Sequence, residues 1–172
     1  MKSRGKRAWD LNENGITLLE IMIALVIVVI ATAMAVPSFT NSTAKSKLKQ
    51  ATTELHGNLN LARMVARNRN MTITTTVGLV GGQVTVTFTD PSTTSANCLA
   101  DNRQCVMPTL RFPSDVSGAA GTTQVAFNSL GLLSGVGTVT QTMTLTNTNG
   151  LSYAIEVTPG GKTRWCATSP CP

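Results

Sequence analysis

A carboxylate lies inside a long apolar run near the N-terminus, and this combination restricts the fold more than any other feature of the chain. Glu20 falls within residues 16–36, whose length and composition otherwise suit a membrane-spanning helix, since about 20 apolar residues cover the hydrocarbon core. A charge at that depth costs roughly 2.5–3.5 kcal/mol or more, so Glu20 needs a partner. The simpler alternative is a signal anchor in which Glu20 lies close enough to one interface to reach water.

The segment before the run indicates its orientation. Residues 1–15 carry four basic side chains and two acidic ones, an excess that stays on the cytoplasmic side of a membrane. A cleaved secretory signal is a further alternative, because Ala31, Ala33 and Ala35 provide A-x-A spacing near the end of the run. Such signals usually have a shorter apolar region, so a retained helix is the preferred interpretation.

These residues resemble the class III signal of type IV pilins and type II secretion pseudopilins. The match consists of Gly15, Ile16, the T-L-L-E stretch 17–20 and the later Pro37. The resemblance implies that a prepilin peptidase cuts between Gly15 and Ile16 and that the amine of Ile16 is then methylated. It also implies that Glu20 neutralises the N-terminal amine of a neighbouring subunit, with other pilins or pseudopilins and an inner-membrane assembly platform as partners.

The periodicity changes twice after the apolar run. Three- and four-residue spacing of apolar residues predicts an amphipathic helix that faces a sheet and ends near residue 70, with its buried positions at Leu48, Ala51, Leu55, Leu59, Ala62 and either Val65 or Ala66. From Met71 the period is two, which predicts a hairpin from 71–77 and 83–89 and another from 138–146 and 151–157. Shorter strands are expected near 110–112 and 124–127, with a loop over 90–108.

The chain therefore divides into four predicted segments. They are a leader over 1–15, a transmembrane and filament-core helix over 16–36, its amphipathic continuation over 37–70, and a periplasmic β-rich domain over 71–172. We accordingly predict an α+β fold.

All four cysteines follow the apolar run, on the predicted periplasmic side where disulfides are favoured. Three connectivities are possible, and the short loops favour Cys98 with Cys105 and Cys166 with Cys171. Neither cysteine spacing nor the lone His56 fits a zinc site, and we expect no metal and no other cofactor.

The order of motifs after the helix resembles the FimT/GspH family of minor pilins and pseudopilins, and FimT in particular. The stretches are ELHGNLNLARMVARNRN at 54–70, LRF at 110–112 and VAFNSLGLL at 125–133. The resemblance implies a pilin-like fold, with a long N-terminal helix packed on a C-terminal antiparallel β domain. It also implies a bacterial inner-membrane protein that passes into a pilus at the cell surface.

The C-terminal segment GGKTRWC resembles the G-R-x-R stretch of FimT-type minor pilins, which implies DNA binding during natural transformation. Gly161 matches the glycine, Lys162 the first arginine and Arg164 the second. Lysine keeps the charge but lacks the bidentate fork that grips phosphate. Because two cations imply weak, sequence-independent binding, Arg103 and Arg111 are candidate additional contacts.

Three functions follow from these features, and an enzyme is not among them. No catalytic constellation is present in the sequence, and we expect solvated roles for Asp90, Asp101, Asp115 and Glu156. The first function is a FimT-like minor pilin that assembles into a pilus and binds DNA weakly for uptake. The alternatives are a GspH-like pseudopilin of a type II secretion system and a pilus-tip adhesin that uses the Cys98–Cys105 loop. The processed chain would carry ten basic and six acidic side chains, too mild a bias to predict nucleic-acid binding by itself.

Overall fold

The structure is a computed structural model, and it describes residues 16–135, 139–167 and 169–171. The chain separates into two compact units, of which the first ends at Phe39 and the second begins at Thr40. The predicted leader, including Gly15, lies outside the described residues.

Helix α1 spans Leu18–Arg69. In the second unit its core-facing positions are the predicted ones, and Ala66 rather than Val65 is the fully buried member of the last pair. The helix ends in a Schellman arrangement: Asn70 adopts a positive φ of 52°, and Met71 donates its N–H to the carbonyl of Ala66. The predicted end near residue 70 is therefore confirmed.

Five antiparallel strands form the first sheet, in the order β3-β2-β1-β5-β6. Strands β1 (Ile73–Val80) and β2 (Gln83–Thr89) form the first predicted hairpin, joined by Gly81 and Gly82. Both glycines have positive φ, as a type I′ hairpin turn requires. The remaining strands are β3 (Met107–Arg111), β5 (Gln124–Phe127) and β6 (Leu133–Ser134).

The second sheet has the order β4-β7-β8-β9 and is also antiparallel. Its central hairpin consists of β7 (Gln141–Asn147) and β8 (Ser152–Val157), as the sequence predicts. The Asn147 side chain accepts hydrogen bonds from the N–H groups of Asn149 and Leu151, which fixes the turn. The edge strands are β4 (Val116–Gly121) and β9 (Thr163–Cys166).

The segment predicted as a loop over 90–108 is partly helical, so that prediction was too simple. It contains α2 (Ser95–Ala100) and a short 3-10 helix (Asn102–Gln104). Thr94 caps α2 by accepting a hydrogen bond from the N–H of Asn97. Disulfides join Cys98 to Cys105 and Cys166 to Cys171, the pairs that loop length favours.

One hydrophobic core joins the second unit's part of α1 to both sheets. Alternate residues of the strands point towards it, among them Ile73, Val86, Phe127, Leu145 and Ile155, all of them fully buried. The α+β fold, with a helix packed on antiparallel sheets, is thus confirmed.

Candidate functional site

Thr17 organises the first turn of α1, three residues before Glu20. Its hydroxyl accepts a hydrogen bond from the Glu20 N–H at 3.3 Å, and its carbonyl accepts from the N–H groups of Glu20 and Ile21. This is one half of a capping box, whose second half would need the Glu20 carboxylate to bond the Thr17 N–H. Within the described residues the Glu20 side chain makes no such bond and remains exposed. Its negative charge suits the positive end of the helix dipole.

Large apolar side chains are exposed along residues 18–30 of α1. Every large apolar side chain from Leu18 to Ile30 is about half exposed or more, up to 78% for Leu18. Exposed apolar patches on ordinary monomers rarely exceed a few hundred Å², and larger ones are typical of surfaces that contact other proteins or membranes. Among the residues that the structure describes, none forms a helix both long enough and apolar enough to cross a membrane.

Gly161, the glycine of the predicted DNA-binding motif, belongs to a tight turn between β8 and β9. Thr158 accepts from Gly161 through its carbonyl and donates its own N–H to the Lys162 carbonyl, which closes the turn. Gly161 has a φ of 74°, and a Cβ placed there would overlap the carbonyl oxygen of Gly131. The site therefore needs glycine for both conformation and space.

Arg63 of α1 clamps this turn from the other side. Its Nε donates to the Gly131 carbonyl at 2.8 Å, and its Nη2 donates to the Gly160 carbonyl at 2.9 Å. No sequence pattern indicates this role for Arg63, because its acceptors are backbone carbonyl groups 68 and 97 positions further along the chain. His56 makes a related contact, with its Nε2 3.3 Å from the Thr163 carbonyl.

The two cations of the motif have different surroundings. Lys162 is exposed and precedes β9, whereas Arg164 lies within β9 and is paired in register with Glu156 of β8. Arg164 Nη2 is 3.5 Å from Glu156 Oε2, and the arginine side chain retains 39% exposure. Trp165 points to the opposite face, where it packs against the core and meets Tyr153 edge to face. This inward orientation of Trp165 is the one expected from strand alternation.

The solvated role expected for Glu156 was wrong. Its side chain is buried, and the C-terminal segment covers it: the Cys171 N–H donates to Oε1 at 2.8 Å, and the Ser169 hydroxyl donates to the same oxygen at 3.0 Å. The alternation of β8 points Glu156 away from the core. Its burial is due to the C-terminal segment that packs over it.

The other acidic residues have local roles. Asp101 accepts from the Arg103 N–H, and Asp115 forms an ion pair with Lys47. The Ser92 hydroxyl, which donates to Asp90, lowers the pKa of that carboxyl. Within the described part of the chain, no three His, Cys, Asp or Glu side chains are grouped as a metal site would require.

Arg103 and Arg111 are not brought together with Lys162 and Arg164. Arg111 ends β3, one edge of the first sheet, and Arg103 lies in the adjoining 3-10 helix. The turn before Lys162 instead meets the other edge, where the Leu133 N–H donates to the Pro159 carbonyl. Four strand spacings, roughly 19 Å, separate the two edges. The candidate cations thus occupy two surfaces.

Comparisons with known proteins agree with this architecture. The family described as "Type II transport protein GspH" matches residues 51–161, and the prokaryotic N-terminal methylation motif matches residues 10–36. No curated protein matches the chain.

Two crystal forms of the Pseudomonas aeruginosa type IV minor pilin FimU have a similar fold. Each has a TM-score of 0.52 and 16% sequence identity to this chain. One alignment covers 73% of this chain and 97% of the FimU chain, and the other covers 74% and 94%. Identity at that level concerns the fold alone. The family match extends over more than half of the sequence, and a methylation motif precedes it. The chain belongs to the GspH family and is a pilin- or pseudopilin-type structural subunit rather than an enzyme.

Proposed function

We propose that the chain is a processed and membrane-anchored filament subunit. The leader 1–15 is cut off by a prepilin peptidase, Ile16 becomes the methylated N-terminus, and residues 16–36 anchor the chain in the bacterial inner membrane before entering the filament core. The second unit, with its two sheets, is then periplasmic. The observation that carries the proposal is the N-terminal methylation motif over residues 10–36, ahead of the GspH family match.

Glu20 is the assembly residue in this proposal. Cleavage before Ile16 creates an amine four residues from Glu20, and both groups are costly in an apolar environment. Pairing Glu20 of one subunit with the amine of its neighbour lowers both costs at once. The neighbouring helices also cover the exposed apolar side chains between Leu18 and Ile30.

The processing step and the assembly step can be tested separately. Mass spectrometry of the mature protein should give a chain that begins at methylated Ile16. Glu20→Gln should then leave processing intact but strongly reduce the subunit recovered in sheared filaments. Glu54→Gln is the matched control, because Glu54 is an exposed carboxylate on the same helix. Normal incorporation of the Glu20→Gln subunit contradicts the assembly role.

DNA is the proposed ligand of the turn and strand that carry Gly161, Lys162 and Arg164. The Arg63 clamp and the Cys166–Cys171 bridge support this segment from both sides. Lys162 is exposed and Arg164 is partly exposed, so both can approach phosphate oxygens. Lys162 and Arg164 lie just beyond the family match, which ends at residue 161. Such binding is sequence-independent and would serve uptake during natural transformation.

The DNA proposal is tested with the full chain in detergent micelles and a duplex of fixed length. Lys162→Ala combined with Arg164→Ala should weaken binding at least about eightfold at 0.1 M salt, because each phosphate contact contributes about 0.9 to the salt slope. Lys49→Ala removes an exposed lysine on α1 and should have little effect. The double variant Arg103→Ala with Arg111→Ala measures how much the second surface contributes to DNA binding. Equal binding by the wild-type chain and the Lys162/Arg164 variant rejects the site.

A pseudopilin of a type II secretion system is the second candidate, favoured by the description of the matching family. In that case a deletion strain should retain exported proteins in the periplasm while its DNA uptake stays normal. Loss of DNA uptake with normal secretion supports the pilus function instead.

A further inference from the structure

The buried carboxylate of Glu156 is not one of the proposed DNA contacts, but it lies directly beside Arg164, which is one of them. Its exposed side-chain fraction is 4%, whereas that of Arg164 is 39%. Burial of a charge is costly unless the charge is paired and hydrogen-bonded. Glu156 meets this requirement through three donors: the Cys171 N–H, the Ser169 hydroxyl and the Arg164 guanidinium.

The three donors keep the carboxylate in a fixed position. The Cys166–Cys171 disulfide connects the end of β9 to Cys171, and Cys171 donates to Glu156 at 2.8 Å. Arg164 and Glu156 are also register partners on adjacent strands. A phosphate that approaches Arg164 therefore meets a guanidinium whose positive charge is offset by a stationary negative charge.

We propose that Glu156 sets the affinity of this segment for nucleic-acid phosphate by offsetting the charge of Arg164. Lys162 is then the main phosphate contact of a single subunit. Arg164 contributes to the shape of the binding surface, but its ion pair with Glu156 adds no net charge. This inference rests on the DNA binding proposed above. On this proposal the two cations of the motif provide only one effective phosphate contact per subunit, so strong retention requires several subunits along one DNA molecule.

The test removes the negative charge while it preserves the hydrogen-bond acceptor. Glu156→Gln in the full chain, in detergent micelles, should bind duplex DNA roughly eightfold more tightly at about 0.1 M salt, with a salt slope steeper by about 0.9. A purely structural role for Glu156 predicts equal or weaker binding. Asp115→Asn is the matched control, since it also removes one carboxylate from an ion pair, with Lys47, on a different part of the domain. An equal gain in the Asp115→Asn variant means that only overall charge matters and overturns the proposal.

A second variant keeps the total charge unchanged. Glu156→Gln combined with Arg164→Gln replaces the ion pair by two neutral amides, and it should bind DNA within about twofold of the wild type if the pair contributes no net charge. An eightfold loss in this variant shows that Arg164 is an independent contact and overturns the inference. Absence of DNA binding by the wild type and by every variant instead rejects the proposed DNA binding itself, so the two failures are distinguishable. Thermal unfolding of each variant confirms that its fold is retained.

Discussion

Gly161→Ala should destabilise the domain far more than the same change at its neighbour, Gly160. Residue 161 has a φ of 74°, where a side chain costs about 1–2 kcal/mol. The new Cβ would also overlap the Gly131 carbonyl oxygen and lie about 2.8 Å from Arg63 Nε. The carbonyl or the guanidinium must move, which breaks the clamp that Arg63 makes on Gly131 and Gly160.

The magnitude follows from three contributions. Loss of hydrogen bonds from a charged donor costs about 2 kcal/mol in total, and the left-handed conformation adds about 1–2 kcal/mol. Alanine restricts the unfolded chain and returns about 0.4–1 kcal/mol. The net decrease in the free energy of unfolding is therefore about 2–4 kcal/mol, equivalent to roughly 8–16 °C in the melting temperature of a domain of this size.

Urea and thermal unfolding of residues 40–172, followed by circular dichroism, measure this difference. Gly160→Ala is the matched control, because its φ is not in the left-handed range and a Cβ there meets only the Thr158 hydroxyl at 4.0 Å. The control should remain within about 1 kcal/mol of the wild type, on the stabilising side. If the two variants unfold within 1 kcal/mol of each other, the reasoning about the turn is refuted.

Two further predictions concern groups that support the same strand. Arg63→Ala should reduce the free energy of unfolding, measured by urea titration, by about 2–3 kcal/mol. Arg63→Lys should recover little of this loss, because an ammonium lacks the guanidinium fork. The control, Arg69→Ala, changes an exposed position of the same helix and should cost less than about 0.5 kcal/mol. Serine replacement of both Cys166 and Cys171 should reduce the free energy of unfolding by about 2 kcal/mol through loop closure, and by a further amount because the Cys171 N–H is no longer held against Glu156. Calorimetry should therefore show a larger decrease in stability than serine replacement of Cys98 and Cys105 gives. Loop length alone predicts the opposite, because the Cys98–Cys105 loop is the longer one.

Features with a regular period could be predicted from the sequence. The buried face of α1 repeats every three or four residues, so Leu48, Leu55 and Leu59 were identifiable without any tertiary information. The two main hairpins have alternating strands and Gly-Gly or Asn-Gly turns, which specify them locally. On the buried face of α1, the choice between Val65 and Ala66 required the packed structure, because both positions fit the helical period.

Elements without a local signal were missed. Strand β4, VSGAAG, consists mainly of residues with low β propensity and is held in place by pairing with β7. Strand β6 has two residues, too few for any periodicity. Helix α2 has six residues and was identifiable only from its cap, Thr94.

The candidate site shows the same division. The exposure of Lys162 follows from its place beside a strand, but the roles of Arg63 and Glu156 depend on partners distant in sequence. Arg63 donates to carbonyl oxygens, which every residue possesses, so no pattern of side chains in the sequence indicates the contact. Glu156 is buried by residues that follow the last strand, and only the fold brings them over β8.

The cover over Glu156 also determines where the domain can be shortened. A chain cut anywhere between Cys166 and Cys171 loses the bridge and the main-chain donor together. A cut before Ser169 also removes the hydroxyl donor and leaves Arg164 as the last of the carboxylate's three partners. Expression fragments should therefore retain Cys171, and affinity tags belong at the other end of the domain, ahead of Thr40.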